Sequence, residues 1–188
     1  MNTTAEGREQ LPGWTSAPLS ALIRHILDTH HAYLRSALPK LTQLVRTAAP
    51  AAGGEQGEAL QAVAQVYRDL RGELESHMWK EEMVLFPLIE GLETAEATGR
   101  PAPPSHCGSV RNPIHVMESE HRNAKHALAE LRRLTGGFTA PAGASTDFRN
   151  LLTGLAELET DLHSHVHLED DILFPRAGEL EGRLGHAI

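Results

Sequence analysis

A single cysteine, Cys107, is all the thiol chemistry in these 188 residues. That excludes a disulfide framework and a thiolate metal cluster, and it suits a reducing, cytoplasmic compartment. Aromatic residues are scarce at 4%, so few bulky rings are available to build β-sandwich cores. Long apolar runs are missing: none approaches the roughly 18 residues of a membrane span, and the opening MNTTAEGREQLPGW lacks the apolar centre of a secretory leader. Positive charge is also short, with 17 Lys and Arg against 25 Asp and Glu and a net charge of −8. A nucleic-acid partner is therefore excluded for want of a basic face, and the acidity serves solubility without naming a partner.

What is plentiful is Ala and Leu, which favour helices, and histidine, at 12 copies against 8 Phe, Trp and Tyr. Apolar residues recur at helical spacing in four stretches. The first runs from Thr15 or Ser16, as cap, to about Ala49, with Leu27, His31, Leu34, Leu38, Leu41 and Val45 on one face and Pro39 as an expected kink. The second runs from about Glu58 to Glu90, stopped by Gly91, with Leu60, Val63, Tyr67, Leu70, Leu74, His77, Glu81, Leu85 and Leu88 in its stripe. A loop over Glu93–Asn112 leads to a third, capped at Asn112-Pro113, striped by Ile114, Met117, His121, Ala124, Leu128 and Leu131, and ended by Gly136-Gly137. The fourth is capped by Ser145 or Thr146 and runs to about Ala177, with Phe148, Leu151, Leu155, Leu158, Leu162, His165, Glu169 and Ile172 inward. Four such helices predict an all-α, antiparallel up-down four-helix bundle over residues 16–178, flanked by tails at 1–15 and 179–188.

One stretch occurs twice. SHMWKEEMVLFP (Ser76–Pro87) and SHVHLEDDILFP (Ser164–Pro175) are identical at six of twelve positions, and Glu82/Asp170 and Val84/Ile172 keep their chemistry. Each copy places a His and a Glu four residues apart, His77–Glu81 and His165–Glu169, on one helix face. The first and third helices also align: His31, Arg35, Leu38 and Leu41 match His121, Lys125, Leu128 and Leu131 at an offset of 90, against 88 for the His–Glu pairs. A helix hairpin has been doubled, and the site should have pseudo-two-fold symmetry.

Core positions therefore carry His31, His77, Glu81, His121, His165 and Glu169. Two carboxylates in a Leu-rich core cost several kcal/mol each without compensation, and metal ions are the natural compensation. Two divalent ions, each with two imidazoles and both sharing the two carboxylates, would satisfy all six groups. Imidazole plus carboxylate suits iron or manganese, with zinc as an option. Four protein ligands per ion leave room for an oxo or hydroxo bridge and a small diatomic ligand, the mark of a reactive site. His31 is preferred over its neighbour His30 by the repeat and the Leu27/Leu34/Leu38 stripe. His163 and His167 point away from His165, His126 lies off the His121 face, and His25, His106, His115 and His186 are read as surface groups. Cys107 is read as an ordinary surface or partly buried thiol. Glu73, one turn before His77, and Glu120, beside His121, are candidates to orient a ligand or relay protons. Pro87 and Pro175 should bend their helices just past the site.

On APLSALIRHILDTHHAYLRSALPKL, ESHMWKEEMVLFPLI, VMESEH and HVHLEDDILFPRA, the sequence resembles the hemerythrin-like, HHE cation-binding family. It is most similar to the di-iron domain of iron–sulfur cluster repair proteins. The resemblance implies two iron ions, oxo- or hydroxo-bridged and carboxylate-bridged, on those same six residues, with Glu73 and Glu120 as acidic groups nearby. In oxygen-carrying hemerythrins a fifth His follows one turn past the third-helix ligand, and here that position is Lys125. Many repair-type members carry a paired-cysteine domain ahead of the bundle, which this sequence is expected to lack. The implied function is reaction with nitric oxide or oxygen species, or supply of iron to damaged iron–sulfur proteins under nitrosative and oxidative stress, served by an electron donor. Reduction of NO by two ferrous ions is the enzymatic version, and an oxygen- or NO-binding carrier or sensor is the alternative.

Overall fold

In the computed structural model, which describes residues 13–48, 54–102, 104 and 106–185, four rods run up and down as an antiparallel bundle. The described residues contain no strand. The first rod is α1 (Leu19–Ile26), a π-helical turn at Leu27–His31, and α2 (Ala32–Ala48). The second is α3 (Gly54–Lys80), a π-turn at Glu81–Leu85, and α4 (Phe86–Thr98). The third is α5 (Arg111–Leu134), which is α-helical throughout. The fourth is α6 (Thr146–Leu168), a π-turn at Glu169–Leu173, and α7 (Phe174–Gly185). The rods pair chiefly as α3 with α5 and α2 with α6.

The stripes read from the sequence face inward, with Leu27, Leu88, Phe148 and Ile172 only partly buried at their edges, and the apolar residues form two separate clusters. One, around Leu34, Leu38, Leu70, Leu128 and Leu155, fills one end of the bundle. The other, around Leu22, Ile26, Phe86, Ile89, Leu173 and Phe174, fills the opposite end. Between them lies a polar layer of His31, His77, Glu81, His121, His165 and Glu169, each no more than 4% exposed.

The helix ends differ from expectation in instructive ways. Gly91 does not stop the second rod, which continues to Thr98 and ends on Gly99 in the left-handed conformation (φ 64°). A mid-helix glycine costs about 1 kcal/mol, less than the burial of Leu92 and Ala95 beyond it returns. The expected loop thus begins near Gly99 and not at Glu93. The fourth rod passes Ala177 and reaches Gly185, because Ala177, Gly178 and Leu180 are buried, so residues 179–185 of the expected tail are helical. At Gly178 a Cβ would come within 3.1 Å of the Arg111 guanidinium carbon, so that side chain would have to give way by a few tenths of an ångström. Residues 1–12 and 186–188 of the two expected tails, His186 included, lie outside the described residues. The first rod runs unbroken through Pro39.

Ser145 caps α6 as expected, its hydroxyl accepting the Phe148 N–H at 3.2 Å. Neither Thr15 nor Ser16 caps α1, and Asn112 does not cap α5. Carboxylates arriving from other rods do this work. Glu93 accepts the Leu19 and Ser20 N–H groups at 2.5 and 3.0 Å. Glu181 accepts the Val110 N–H at 2.7 Å and the Ser109 hydroxyl at 2.6 Å. Glu93 and Glu181 are 88 residues apart and Ser20 and Val110 are 90 apart, so the caps are part of the duplication. Asn112 instead donates to the Cys107 carbonyl at 2.7 Å.

Burial pushes Glu93 up, but the hydrogen bonds from Ser20 and Leu19 and the charge of Arg176 outweigh it, and the carboxyl sits below its ordinary 4.5. A lowered carboxyl contributes stability that is present above its ordinary value and lost as pH falls through the folded one. Glu93→Ala should therefore cost about 1 kcal/mol near neutral pH. That corresponds to roughly 2–4 °C in the melting temperature of a chain this size. The gap between variant and parent should narrow in melts recorded below pH 4.5 and approach zero in stronger acid.

Candidate metal centre

The three π-turns lie at the polar layer. A π-turn inserts one extra residue into the helical register and is recurrent at functional sites. Two begin at Glu81 and Glu169 themselves, and each is followed at once by Phe-Pro, Phe86-Pro87 and Phe174-Pro175. Proline has no N–H to donate, so it suits the place where the hydrogen-bond ladder changes register. The repeated LFP triplets are the sequence trace of these turns, which periodicity alone did not reveal.

All six expected residues converge. His31, Glu81, His165 and Glu169 form one group, and His77, Glu81, His121 and Glu169 the other. In each, one ligand atom per residue lies within 4.8 Å of all the others. Each carboxylate divides its oxygens between the groups. Glu81 turns Oε2 to His31 Nε2 (3.3 Å) and Oε1 to His77 Nε2 (3.2 Å). Glu169 turns Oε1 to His165 Nε2 (3.1 Å) and Oε2 to His121 Nε2 (3.2 Å). The Nε2 atoms of His77 and His121 face one another at 3.0 Å.

These residues fit a metal cation. All four oxygens of Glu81 and Glu169, together with His31 Nε2 and His165 Nε2, are buried without a hydrogen-bond partner among the described residues. Buried polar atoms are otherwise almost always bonded. A cluster of nitrogen and carboxylate oxygen atoms, all inward and unbonded, is what a cation requires.

Outside the cluster, carboxylates hold the far nitrogens of three imidazoles. His31 Nδ1 meets Glu82 at 2.6 Å, and Arg35 braces Glu82 at 2.5 Å. His121 Nδ1 meets Asp170 at 2.8 Å, with Lys125 Nζ 3.5 Å from the other Asp170 oxygen. His77 Nδ1 meets Glu120 at 2.9 Å, and Lys80 bonds the other Glu120 oxygen. Such partners fix the ring and its tautomer and strengthen it as a ligand. Glu82 and Asp170 were not singled out by sequence reasoning. Their signal was the conserved acid–acid match within the repeat and the Arg35/Lys125 match opposite it.

The charges reinforce one another. Burial would lower His121, but Asp170 and Glu169 push it up to about 10. Burial likewise works against His31 and His77, and Glu81 in both cases, joined by Glu82 at His31, raises them. Burial would raise Glu169, yet the charge of His165 and the approach of His121 hold it well below the ordinary carboxylate range. Glu120 and Asp170 are lowered too: Lys80 and His77 outweigh burial at the first, His121 at the second.

Of the remaining candidates, Glu120 is hydrogen-bonded to His77, whereas Glu73 is exposed and lines a small cavity with Glu120, His77, His121 and His165. His163, His167, His126, His106 and His115 are exposed, as expected. His25 is half-buried, not a plain surface group, and stacks on Trp14 with ring centroids 4.9 Å apart. His30 is also buried, a little less than the six inward residues, but stands outside both groups: its Nδ1 meets Asp161 at 2.9 Å.

The family profile of the hemerythrin HHE cation binding domain matches residues 22–177. The chain is similar to proteins called iron-sulfur cluster repair protein YtfE. It is 40% identical over 169 residues to that of Edwardsiella ictaluri, covering 90% of this chain and 70% of the relative. It is 36% identical over 164 residues to that of Yersinia pseudotuberculosis and 38% over 168 residues to that of Cronobacter sakazakii, covering in each case 87% of this chain and 68% of the relative.

Binding a divalent cation to this layer should stabilise the bundle. At free metal a hundredfold above its Kd the gain is about 2.7 kcal/mol, read as a rise in melting temperature. Glu169→Ala should abolish the metal-dependent rise. Glu82→Gln and Asp170→Asn should each keep it while weakening metal affinity by about 10–100-fold in a competition titration.

Proposed function

The chain belongs to the hemerythrin HHE cation-binding family, and from that premise we propose that it is a non-haem di-iron protein of the repair type. His31 and His165 would hold one iron and His77 and His121 the other, with Glu81 and Glu169 shared between them. The observation that carries this reading is the division of each carboxylate, one oxygen to each imidazole pair. Manganese and zinc could occupy the same donors, and the names of the relatives favour iron.

Two ferrous ions at adjacent sites with open positions would supply electrons to a small diatomic ligand, NO or O2, and would also be a store of iron for a damaged iron–sulfur protein. The chain's own residues provide the surroundings. The two Leu-rich clusters close the layer from both ends and exclude bulk water. Glu82, Asp170 and Glu120 hold the outer protons of their imidazoles, so the rings present Nε2 inward. Glu120, kept ionised by Lys80 and His77, is a positioning residue and a proton acceptor. Glu73, exposed at the cavity mouth, is placed to carry protons between solvent and Glu120. Lys125, where oxygen carriers have a fifth imidazole, lies exposed beside Asp170 and would supply no donor atom to either metal position. That favours a reactive centre over a reversible oxygen store. No helix among the described residues is long and apolar enough to cross a membrane.

Protein produced in iron-rich medium should contain two irons per chain, with near-ultraviolet and blue absorption in the oxidised form. Glu81→Ala should retain one iron or none. Anaerobically reduced protein given NO should release nitrous oxide, or else restore activity to an iron–sulfur enzyme damaged by NO. Two irons with neither outcome, together with stable reversible oxygen binding, would replace the repair reading with a carrier.

A further inference from the structure

The two halves of the duplicated bundle agree closely around one diagonal of the centre and part along the other. His31 with Glu82 and Arg35 repeats as His121 with Asp170 and Lys125, at the same offsets of 88 and 90 that relate the ligands. On the other diagonal the correspondence breaks. His77 Nδ1 bonds to Glu120 at 2.9 Å. The counterpart of Glu120 is His30, and the counterpart of Glu73 is Asp161. His30 gives its own Nδ1 to Asp161 and lays its ring on His165, centroids 5.1 Å apart and planes 2° from parallel. His165 Nδ1 is buried with no hydrogen-bond partner among the described residues. The backbone differs in the same place. The π-turn Leu27–His31 has no equivalent in α5, and both His30 and His31 are buried, whereas Glu120 is half-buried.

We propose that His30 makes the two metal positions unequal, so that the ion on His31 and His165 is the loosely held one and leaves first. This rests on the two-ion reading above. A carboxylate on the outer nitrogen of a metal-bound imidazole makes the ring a stronger donor, and its loss weakens binding by about 10–100-fold. Both imidazoles of the His77–His121 position have that support, and only one of the two at the His31–His165 position does. Stacking by His30 fixes the plane of the His165 ring without supplying negative charge. Such inequality suits a protein that gives up iron. An ion retained between His77 and His121 would keep both Glu81 and Glu169 within its group, so neither carboxylate would be stranded when the other ion departs.

The test is iron extraction from the full chain, loaded anaerobically with ferrous iron and mixed with excess ferrous chelator. The parent should lose its two irons in two phases whose rates differ by at least about tenfold. His30→Glu places a carboxylate where Glu120 sits in the other half and should bring the two rates together by slowing the fast one. His30→Phe keeps a stacking ring and should keep the parent's ratio. Mössbauer spectra of the loaded proteins should show two distinct iron environments in the parent and converging ones in His30→Glu. Circular dichroism of the metal-free variants checks the fold, and His30→Gln, a neutral acceptor that should narrow the ratio part of the way, serves if His30→Glu does not fold. Two bound irons that leave the parent in a single phase, or a ratio unchanged in both His30→Glu and His30→Gln, would overturn the inference and leave the di-iron reading standing. Fewer than two irons in the fully loaded parent would overturn that reading and the inference with it.

Discussion

Glu81 and Glu169 are fully buried in a bundle whose neighbouring layers are rich in leucine, and their four oxygens find no hydrogen bond among the described residues. Bringing a carboxylate out of water into such surroundings costs several kcal/mol unless a cation or a proton answers it. Four imidazoles, one from each rod, surround the two carboxylates within 3.1–3.3 Å. This balance of buried charge explains why the apolar core is divided in two, why the outer imidazole nitrogens need carboxylates, and why those carboxylates are in turn braced by Arg35, Lys80 and Lys125. Charge alternates in shells from the centre to the surface, and each shell reduces the cost of the one inside it.

Duplication gives this arrangement its economy and its one asymmetry. The same hairpin, used twice, places a His–Glu pair on the second and fourth rods and a His on the first and third. It also repeats the tertiary caps, with Glu93 on the start of α1 and Glu181 on the start of α5. The two caps are carboxylates at helix N-termini, where the helix dipole and the unpaired N–H groups both favour negative charge. Against so much repetition, the exchange of Glu120 for His30 and the extra π-turn in the first rod are changes of a specific kind. They remove one acceptor from one ligand and leave the six inner residues alike.

The functional reading follows from the donor set and its surroundings taken together. Hard carboxylates and borderline imidazoles without thiolate suit iron. Paired donor sets sharing two carboxylates suit two adjacent ions. A cavity lined by Glu73 and Glu120 reaches His77 and His121 from the side of the bundle where Lys80 holds Glu120. Iron held in that way would be open to a small ligand or to being handed on, and relatives named as iron–sulfur cluster repair proteins are in keeping with the proposal.

Much of this was legible in the residues. Helical periodicity, the doubled SHxxxExxxLFP string and the offset of His31 from His121 determined the fold class, the symmetry and the six inward groups, because a helix places i and i+4 on one face whatever its neighbours are. The choice of His31 over His30 also came from the repeat. Tertiary structure decided the rest. Glu93 and Glu181 became caps, and Glu82 and Asp170 became partners of the inward-facing His31 and His121, only because packing brings different rods within 3 Å. The second rod ran through Gly91 because burial further along outweighed a local preference. The burial of His30, beside a ligand yet outside both groups, depends on a π-turn and on the ring of His165 in another rod. Sequence periodicity records which face of a helix is turned inward. It does not record which atom on a neighbouring helix will be waiting there, since that is settled by distances between elements far apart in the chain.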